Sequence, residues 1–261
     1  MLRAALSLFS RWLFSPLSFG KSAVSRVRGL PHFARNLRLY SRENRRKSFG
    51  FALRHSWYRS FDRFENAASL ADHYFHQDLW AAKRLFDSGT KEHVDVGSRV
   101  DGFIAHLLTF CRVTYVDVRP LLLEWDGFSF KQGLITALPF ADDSVPSLSS
   151  LHVIEHIGLG RYGDPVDPEG SWKAAQELAR VLAPGGRLLV GVPTGRERVE
   201  FDAHRVFDPQ TIRDMFATLE LAEFSFVTDA NRFVAGASFE EARRASYGCG
   251  LFEVRKPSYE V

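Results

Sequence analysis

The sequence predicts an α/β protein built on a doubly wound, mostly parallel sheet, with a basic helical extension at its N-terminus. Three observations carry this. After Gly89, short β-branched runs alternate with amphipathic stretches, the rhythm of strand–helix–strand units with short connections. The run 187–193 (RLLVGVP) is almost wholly apolar, as expected where helices cover both faces of a sheet. Charge is also segregated. Residues 1–90 hold 16 Lys and Arg against 6 Asp and Glu, and the remainder holds 18 against 25. The net charge of +3 therefore describes a basic front end on a mildly acidic domain. The organisation expected is an extension over 1–50, a helical lead-in over 51–87 and the main domain over 88–257.

The elements follow in order. His73 to Phe86 (HYFHQDLWAAKRLF) has Leu79, Ala82 and Leu85 on one helical face. HVDVG (93–97) is a first strand ending in glycine, and 102–110 has helical spacing through Phe103, Leu107 and Phe110. VTYVDV (113–118) and LSSLHVI (148–154) are the next strands. SWKAAQELARVL (171–182) is an amphipathic helix that stops at Pro184-Gly185-Gly186, where a left-handed glycine cap is expected. DPQTIRDMFATL (208–219) is a further helix, with Asp208 as N-cap and Pro209 at its first position. Period-2 strands over 221–229 and 250–256 close the domain.

Composition excludes several classes. With 45% apolar residues the chain can bury a core and is not disordered. Two cysteines, Cys111 and Cys249, make neither a disulfide framework nor a zinc signature, so a reducing, cytoplasmic setting is expected. The basic surplus is confined to the front, so no nucleic-acid partner is expected. Arg11 interrupts the apolar stretch 6–19, leaving no run of the roughly 18 residues a membrane span needs. The Arg- and Ser-rich, acid-poor front fits three readings: a peripheral membrane contact through residues 1–20, organelle targeting by residues 1–40, and an extension packed on the domain.

Ligands of such a sheet bind outside the carboxyl ends of its strands. The stretches to inspect are 95–102, 117–120, 137–143 and 152–161. Gly97 ends the first strand, where a missing Cβ admits a ligand. Asp117 ends the second, 20 residues on, where a carboxylate can accept both ribose hydroxyls of an adenosine cofactor. A phosphate-binding Lys-Ser/Thr pair is absent, since Phe103-Ile104 stand there. A dinucleotide turn needs glycine where Arg99 stands. S-adenosyl-L-methionine carries no phosphate and tolerates such a turn.

HVDVG, TYVDVRP, ITALPFADDSV, LHVIEHIG and ELARVLAPGGRLLVGVPTG stand in the order and spacing of class I methyltransferase motifs, and the chain resembles that Rossmann-like superfamily over about residues 73–256. With YFHQDLW and SSLHVIEHIGLGRYGDPVDP the pattern is similar to an uncharacterised methyltransferase-like family of unknown substrate. The resemblance implies a transferase using S-adenosyl-L-methionine. Asp95 and Gly97 would line the methionine part of the cofactor, Asp117 would hold the ribose, and Ala137 and Leu138 would lie beside the adenine. Two departures stand out. Arg99 and Asp101 replace the second and third glycines of the turn, and Leu134 replaces the usual adenine-binding acid. Arg99 pairs either with the cofactor carboxylate or with Asp101.

His152-Val153-Ile154-Glu155-His156 also reads as H-x-x-E-H, which on a helix marks a zinc hydrolase. On a strand its histidines would be about 13 Å apart, too far to share a metal, so that alternative requires the chain to turn helical at His152. In the methyltransferase reading Glu155 and His156 lie beside the transferred methyl. His156 either serves as base for a hydroxyl acceptor or shapes the loop, and His204 is the competing base. Arg161, Tyr162, Asp164 and Asp167, in the glycine-rich loop 158–170, and Arg205 are candidates for gripping a small-molecule or saccharide acceptor. A non-catalytic binding module is the remaining reading.

Overall fold

A computed structural model describes residues 16–45 and 72–258, with side chains from Gly29 onward in the first segment. The chain divides after Leu70 into two units. In the first, α1 (Pro16–Arg45) contains Pro31 and ends on Arg42 and Arg45, cations suited to the negative end of a helix. Residues 1–15, which hold most of the expected membrane contact, and 46–71, which hold much of the expected lead-in, lie outside the described residues. Among the described residues no helix is long and apolar enough to cross a membrane.

The second unit opens with α2 (His73–Asp87), capped by Asp72, whose carboxylate accepts the Tyr74 amide. Of the expected stripe Leu79–Ala82–Leu85, Ala82 and Leu85 are buried. Leu79 is exposed, and Gln77, Trp80, Ala81 and Leu85 face inward, with 77, 81 and 85 at the four-residue helical spacing. β1 (Glu92–Val96) follows, then a wide turn over Val100–Ile104 leading into α3 (Ala105–Leu107). The helix expected over 102–110 is therefore short. β2 (Arg112–Asp117) runs parallel to β1. β3 (Phe128–Gln132), which the sequence did not suggest, adds a parallel edge.

β4 (Val145–Leu151) lies three residues earlier than expected. It ends because His152 adopts the left-handed conformation, φ 57°, and a single 3₁₀ turn over Ile154–His156 follows. α4 (Gly170–Val181) passes directly into β5 (Leu182–Thr194). The left-handed Gly185, φ 72°, lies inside the strand's bulged start rather than capping the helix; Leu182, already extended, ends it. A hairpin of β6 (Arg198–Glu200) and β7 (His204–Val206) comes next. α5 (Pro209–Met215) starts on its Asp208 cap but stops short of 219. The chain closes with β8 (Glu220–Val227), β9 (Phe233–Val234), α6 (Phe239–Arg243) and β10 (Gly248–Arg255).

The sheet order is β3-β2-β1-β4-β5-β10-β8-β9. β1 to β5 are parallel, and β10 is antiparallel to both β5 and β8. Neighbouring residues of β5 serve opposite layers. Leu188 and Val190 pack with Ala174, Leu178 and Phe216, while Leu189 packs with Trp80, Leu85 and Phe103. Two covered faces explain why 187–193 lacks polar alternation.

Candidate functional site

A cleft of about 170 Å³, partly open to solvent, lies at the carboxyl ends of β1, β2 and β4. Its walls include Val96, Gly97, Asp117, Arg119, Ile135, Thr136, Val153, His156 and Tyr162. β1 and β4 pair on either side of its base, which brings Gly97 against the segment after β4. Gly97 has φ 76° and a Cβ there would meet Val153 Cγ1 at 2.9 Å, so both backbone and packing require glycine.

Asp117 ends β2 at the cleft wall. Arg119 forks onto it, Nε to Oδ1 at 3.0 Å and Nη2 to Oδ2 at 2.7 Å, and the Arg119 amide donates to Oδ1 at 2.8 Å. The Tyr115 hydroxyl lies 3.0 Å from Oδ2. Burial alone would raise the Asp117 pKa, but these bonds outweigh it and hold the carboxyl below its ordinary value. Arg119 also sits 5.0 Å from the Tyr162 ring centroid, so Asp117 is linked to the loop 158–170.

Asp95 does not face the cleft. It is fully buried and receives the Ser98 amide at 3.0 Å, the Ser98 hydroxyl at 2.6 Å and the Ser149 hydroxyl at 2.5 Å. Burial, eased by these bonds, pushes its pKa up to about 7. Its hold on Ser98 shapes the turn after β1. Arg99 pairs with Asp101, both contacts at 3.2 Å, and stacks 5.0 Å from the Tyr74 ring. Ala137 is exposed and Leu138 belongs to the core. The cleft wall in that stretch is Gly133 to Thr136.

On the far side, His156 Nδ1 donates to the Ala203 carbonyl at 2.6 Å. The carbonyl can only accept, so Nε2 carries the lone pair. Burial lowers the His156 pKa to about 4, and Nε2 lies 3.6 Å from Glu155 Oε1. Glu155 has no exposed surface and neither carboxyl oxygen has a hydrogen-bond partner among the described residues. Burial raises its pKa to about 8. His204 stands 6.4 Å from His156 between ring centroids.

The H-x-x-E-H segment is not the one-faced helix that a zinc hydrolase needs. His152 is left-handed and its Nδ1 meets Gln77 Oε1 at 2.5 Å, whereas His156 turns to Ala203. Among the described residues no group of three His, Cys, Asp or Glu side chains is placed to hold a metal ion.

The expected acceptor grips mostly bind the loop itself. Asp164 accepts the amides of Gly158 and Tyr162, and Asp167 accepts the Glu169 amide and Lys173 Nζ at 2.6 Å. Arg205 donates to the carbonyls of Ile157, Glu155 and Pro168. Arg161 donates to the Ala203 carbonyl and lies over Tyr162. Tyr162, Asp164 and Asp167 line the cleft nonetheless. Sequence reasoning missed Arg119, Lys173, His73, Tyr74 and Tyr247. Arg119 stood within the inspected stretch 117–120; the others carried only helix or loop signals.

Comparison with known proteins fits this geometry. A family described as "Caenorhabditis protein of unknown function, DUF268" matches residues 141–244. A protein of Mycobacterium sp. (strain KMS) named "Uncharacterized methyltransferase" is 34% identical over 120 residues, 43% of this chain and 43% of that protein. The match thus spans less than half of the relative's length. The N-methyltransferase NodS of Bradyrhizobium japonicum, solved with S-adenosyl-L-homocysteine, superposes with a TM-score of 0.50 at 19% identity, over 76% of this chain and 92% of that one. The fold is that of the class I methyltransferases. The [4+2]-cyclase SpnF superposes as well, with a TM-score of 0.50 at 15% identity, over 78% of this chain and 85% of that one. The class I methyltransferase fold therefore leaves the reaction to the side chains.

Proposed function

We propose that the chain transfers a methyl group from S-adenosyl-L-methionine to a hydroxyl of a small-molecule or saccharide acceptor. The observation that carries this is the cleft running from Gly97 and Asp117, on neighbouring strand tips, to His156. Its donor set suits an adenosine cofactor without phosphates. The walls are mainly apolar, and their two full cations are already engaged, Arg119 with Asp117 and Lys173 with Asp167. Gly97 would border the methionine part, Asp117 would hold the ribose, and Ile135 with Thr136 would flank the adenine. When bound, the cofactor supplies an electrophilic methyl on a sulfonium sulfur.

The protein's own part is placement and proton handling. The Ala203 carbonyl fixes the His156 tautomer with Nε2 bare. With its lowered pKa, His156 is neutral at pH 7, and Nε2 would take the proton that the acceptor hydroxyl gives up as the methyl passes from the sulfonium, which leaves as a thioether, to that oxygen. Positioning supplies most of the acceleration in such a reaction. The basic front end adds a proposed peripheral membrane contact through residues 1–20. The two buried free cysteines suit a reducing, cytoplasmic setting.

Isothermal titration with S-adenosyl-L-methionine tests the reading on the protein and on Asp117→Ala. Saturable binding weakened about tenfold or more by the substitution, roughly 1.4 kcal/mol or above, is expected. No binding at millimolar cofactor would overturn it.

A further inference from the structure

Six rings, the candidate base among them, stand in series. His156 contacts His204, His204 contacts Tyr247 at 5.1 Å, Tyr247 contacts His73 at 5.8 Å, and His73 stacks on His152 at 4.9 Å, with Tyr74 4.7 Å from His152. They come from four places: the first turn of α2, the turn after β4, the β6–β7 hairpin and the approach to β10. Among the described residues, Glu155 is the one carboxyl that acts on both the Tyr74 and Tyr247 hydroxyls, and it lies 3.6 Å from His156 Nε2. Its two oxygens, His152 Nε2 and His204 Nε2 are all buried without a hydrogen-bond partner among the described residues. Native proteins rarely leave such groups unsatisfied. A carboxyl beside stacked rings is what binds an ammonium group, through charge and through the negative faces of the rings.

We propose that the acceptor is a vicinal amino alcohol, its amino group held by Glu155 among the rings of Tyr74, Tyr247 and His204 and its hydroxyl facing His156 Nε2. This rests on the methyl-transfer reading of the same site. The 3.6 Å between Glu155 Oε1 and His156 Nε2 suits groups on adjacent carbons. Holding the amine as an ammonium removes its lone pair, so the methyl goes to the hydroxyl oxygen alone. Without an acceptor Glu155 holds its proton, because burial raises its pKa. An ammonium that binds displaces this proton to solvent and forms the ion pair, so charge balances. Glu155 has no exposed surface, and an acceptor reaches it by parting the rings. His73 and Tyr74 are the readiest to yield, since a helix's first turn lacks the full set of backbone bonds.

The test is calorimetry on the full chain without cofactor. Glucosamine and ethanolamine are titrated against glucose and ethylene glycol, in two buffers of different ionisation enthalpy at pH 7. At least one amino alcohol is expected to bind about tenfold or more tighter than its amine-free partner, releasing close to one proton. Which of the two binds tighter separates a sugar source from a headgroup-like source. In Glu155→Gln the preference and the proton release disappear, while S-adenosyl-L-methionine binds as in the parent. Tyr247→Leu weakens the preference severalfold as an independent check. Equal binding of amine and amine-free ligands, or a preference that survives Glu155→Gln, would overturn the proposal. If cofactor binds normally in that case, only the acceptor class is lost; absent cofactor binding fails the methyl-transfer reading itself.

Discussion

In and behind the two halves of the cleft, polar groups are handled in opposite ways. At the tips of β1 and β2 each carboxylate is satisfied: Asp95 by Ser98 and Ser149, Asp117 by Arg119 and Tyr115. Beyond β4 and β5, Glu155, His152 and His204 each leave buried polar atoms unpartnered. Unsatisfied buried groups cost roughly 1–3 kcal/mol each, so the second half holds a cost that a ligand can relieve. The first half is pre-organised, and a ligand there must exchange existing bonds. On the proposed reading, the difference separates a site built for one constant cofactor from a site whose energy is released by the right acceptor.

Breaking the loop that joins the halves has the largest expected effect. Gly158 has φ 82°, and a Cβ there would overlap the Asp167 carbonyl oxygen, a backbone atom that cannot rotate away. Its amide is also bound by Asp164 at 2.6 Å. Gly158→Ala is expected to destabilise the fold by about 3 kcal/mol or more and to abolish cofactor binding. Gly163→Ala, in the same loop with φ 86° and nothing within 4 Å, should cost only about 1–2 kcal/mol. Chemical denaturation of both variants checks the contrast. Equal costs would mean that the close approach at Gly158 is not what holds the loop.

The halves should also differ in their pH response. Glu155, raised by burial from 4.5 to about 8, and Asp95, raised from 3.8 to about 7, keep protons that the unfolded chain has released. Their contribution to stability is full below the unfolded values and declines as pH rises through the folded ones. His156 and His93, lowered by burial from 6.5 to about 4 and about 3, act in the opposite sense. With His73, His152 and His204, also lowered by burial, they add stability until the unfolded imidazoles are neutral near about pH 7.5. Above about pH 7.5 the unfolded histidines are already neutral, and stability should fall by about 1 kcal/mol up to about pH 8.5 as Glu155 loses its proton. Glu155→Gln should flatten most of that fall, and Asp95→Asn should leave most of it in place. A melting temperature that is level across this range in the parent protein would contradict the assignment.

Most of the sheet was legible because its signals are local. Glycine ends β1, aspartate ends β2, and an apolar run marks a strand covered on both faces. β3 escaped because FSFKQ is a largely exposed strand at the sheet edge and shows no clean alternation. His152 escaped too, since SSLHVI continues a β pattern straight through the left-handed residue. Gly97 and Asp117 could be placed because they terminate readable strands. The ring cluster could not, because His73 and Tyr247 meet only through the sheet's topology and each carries an ordinary helix or loop signal. The polar loop 158–170 misled in a different way. Its Asp and Arg side chains resemble ligand grips, but short polar side chains in irregular backbone often satisfy that backbone first.

The smallest expected effect tests whether the pre-organised half is also self-occupied. Arg119 is half-exposed, yet it covers the carboxylate assigned to the ribose and rests on Tyr162, whose ring meets His156 edge-on at 5.5 Å. If the guanidinium competes with the ribose, Arg119→Ala should tighten cofactor binding a few-fold, because an exposed ion pair contributes about 1 kcal/mol or less. Tyr115 would still hold Asp117 in place. The same titration used for Asp117→Ala reads the change. Weaker binding in Arg119→Ala would show instead that the guanidinium contacts the cofactor. The departure from the usual glycine-rich turn would then be offset on β2 rather than on β1.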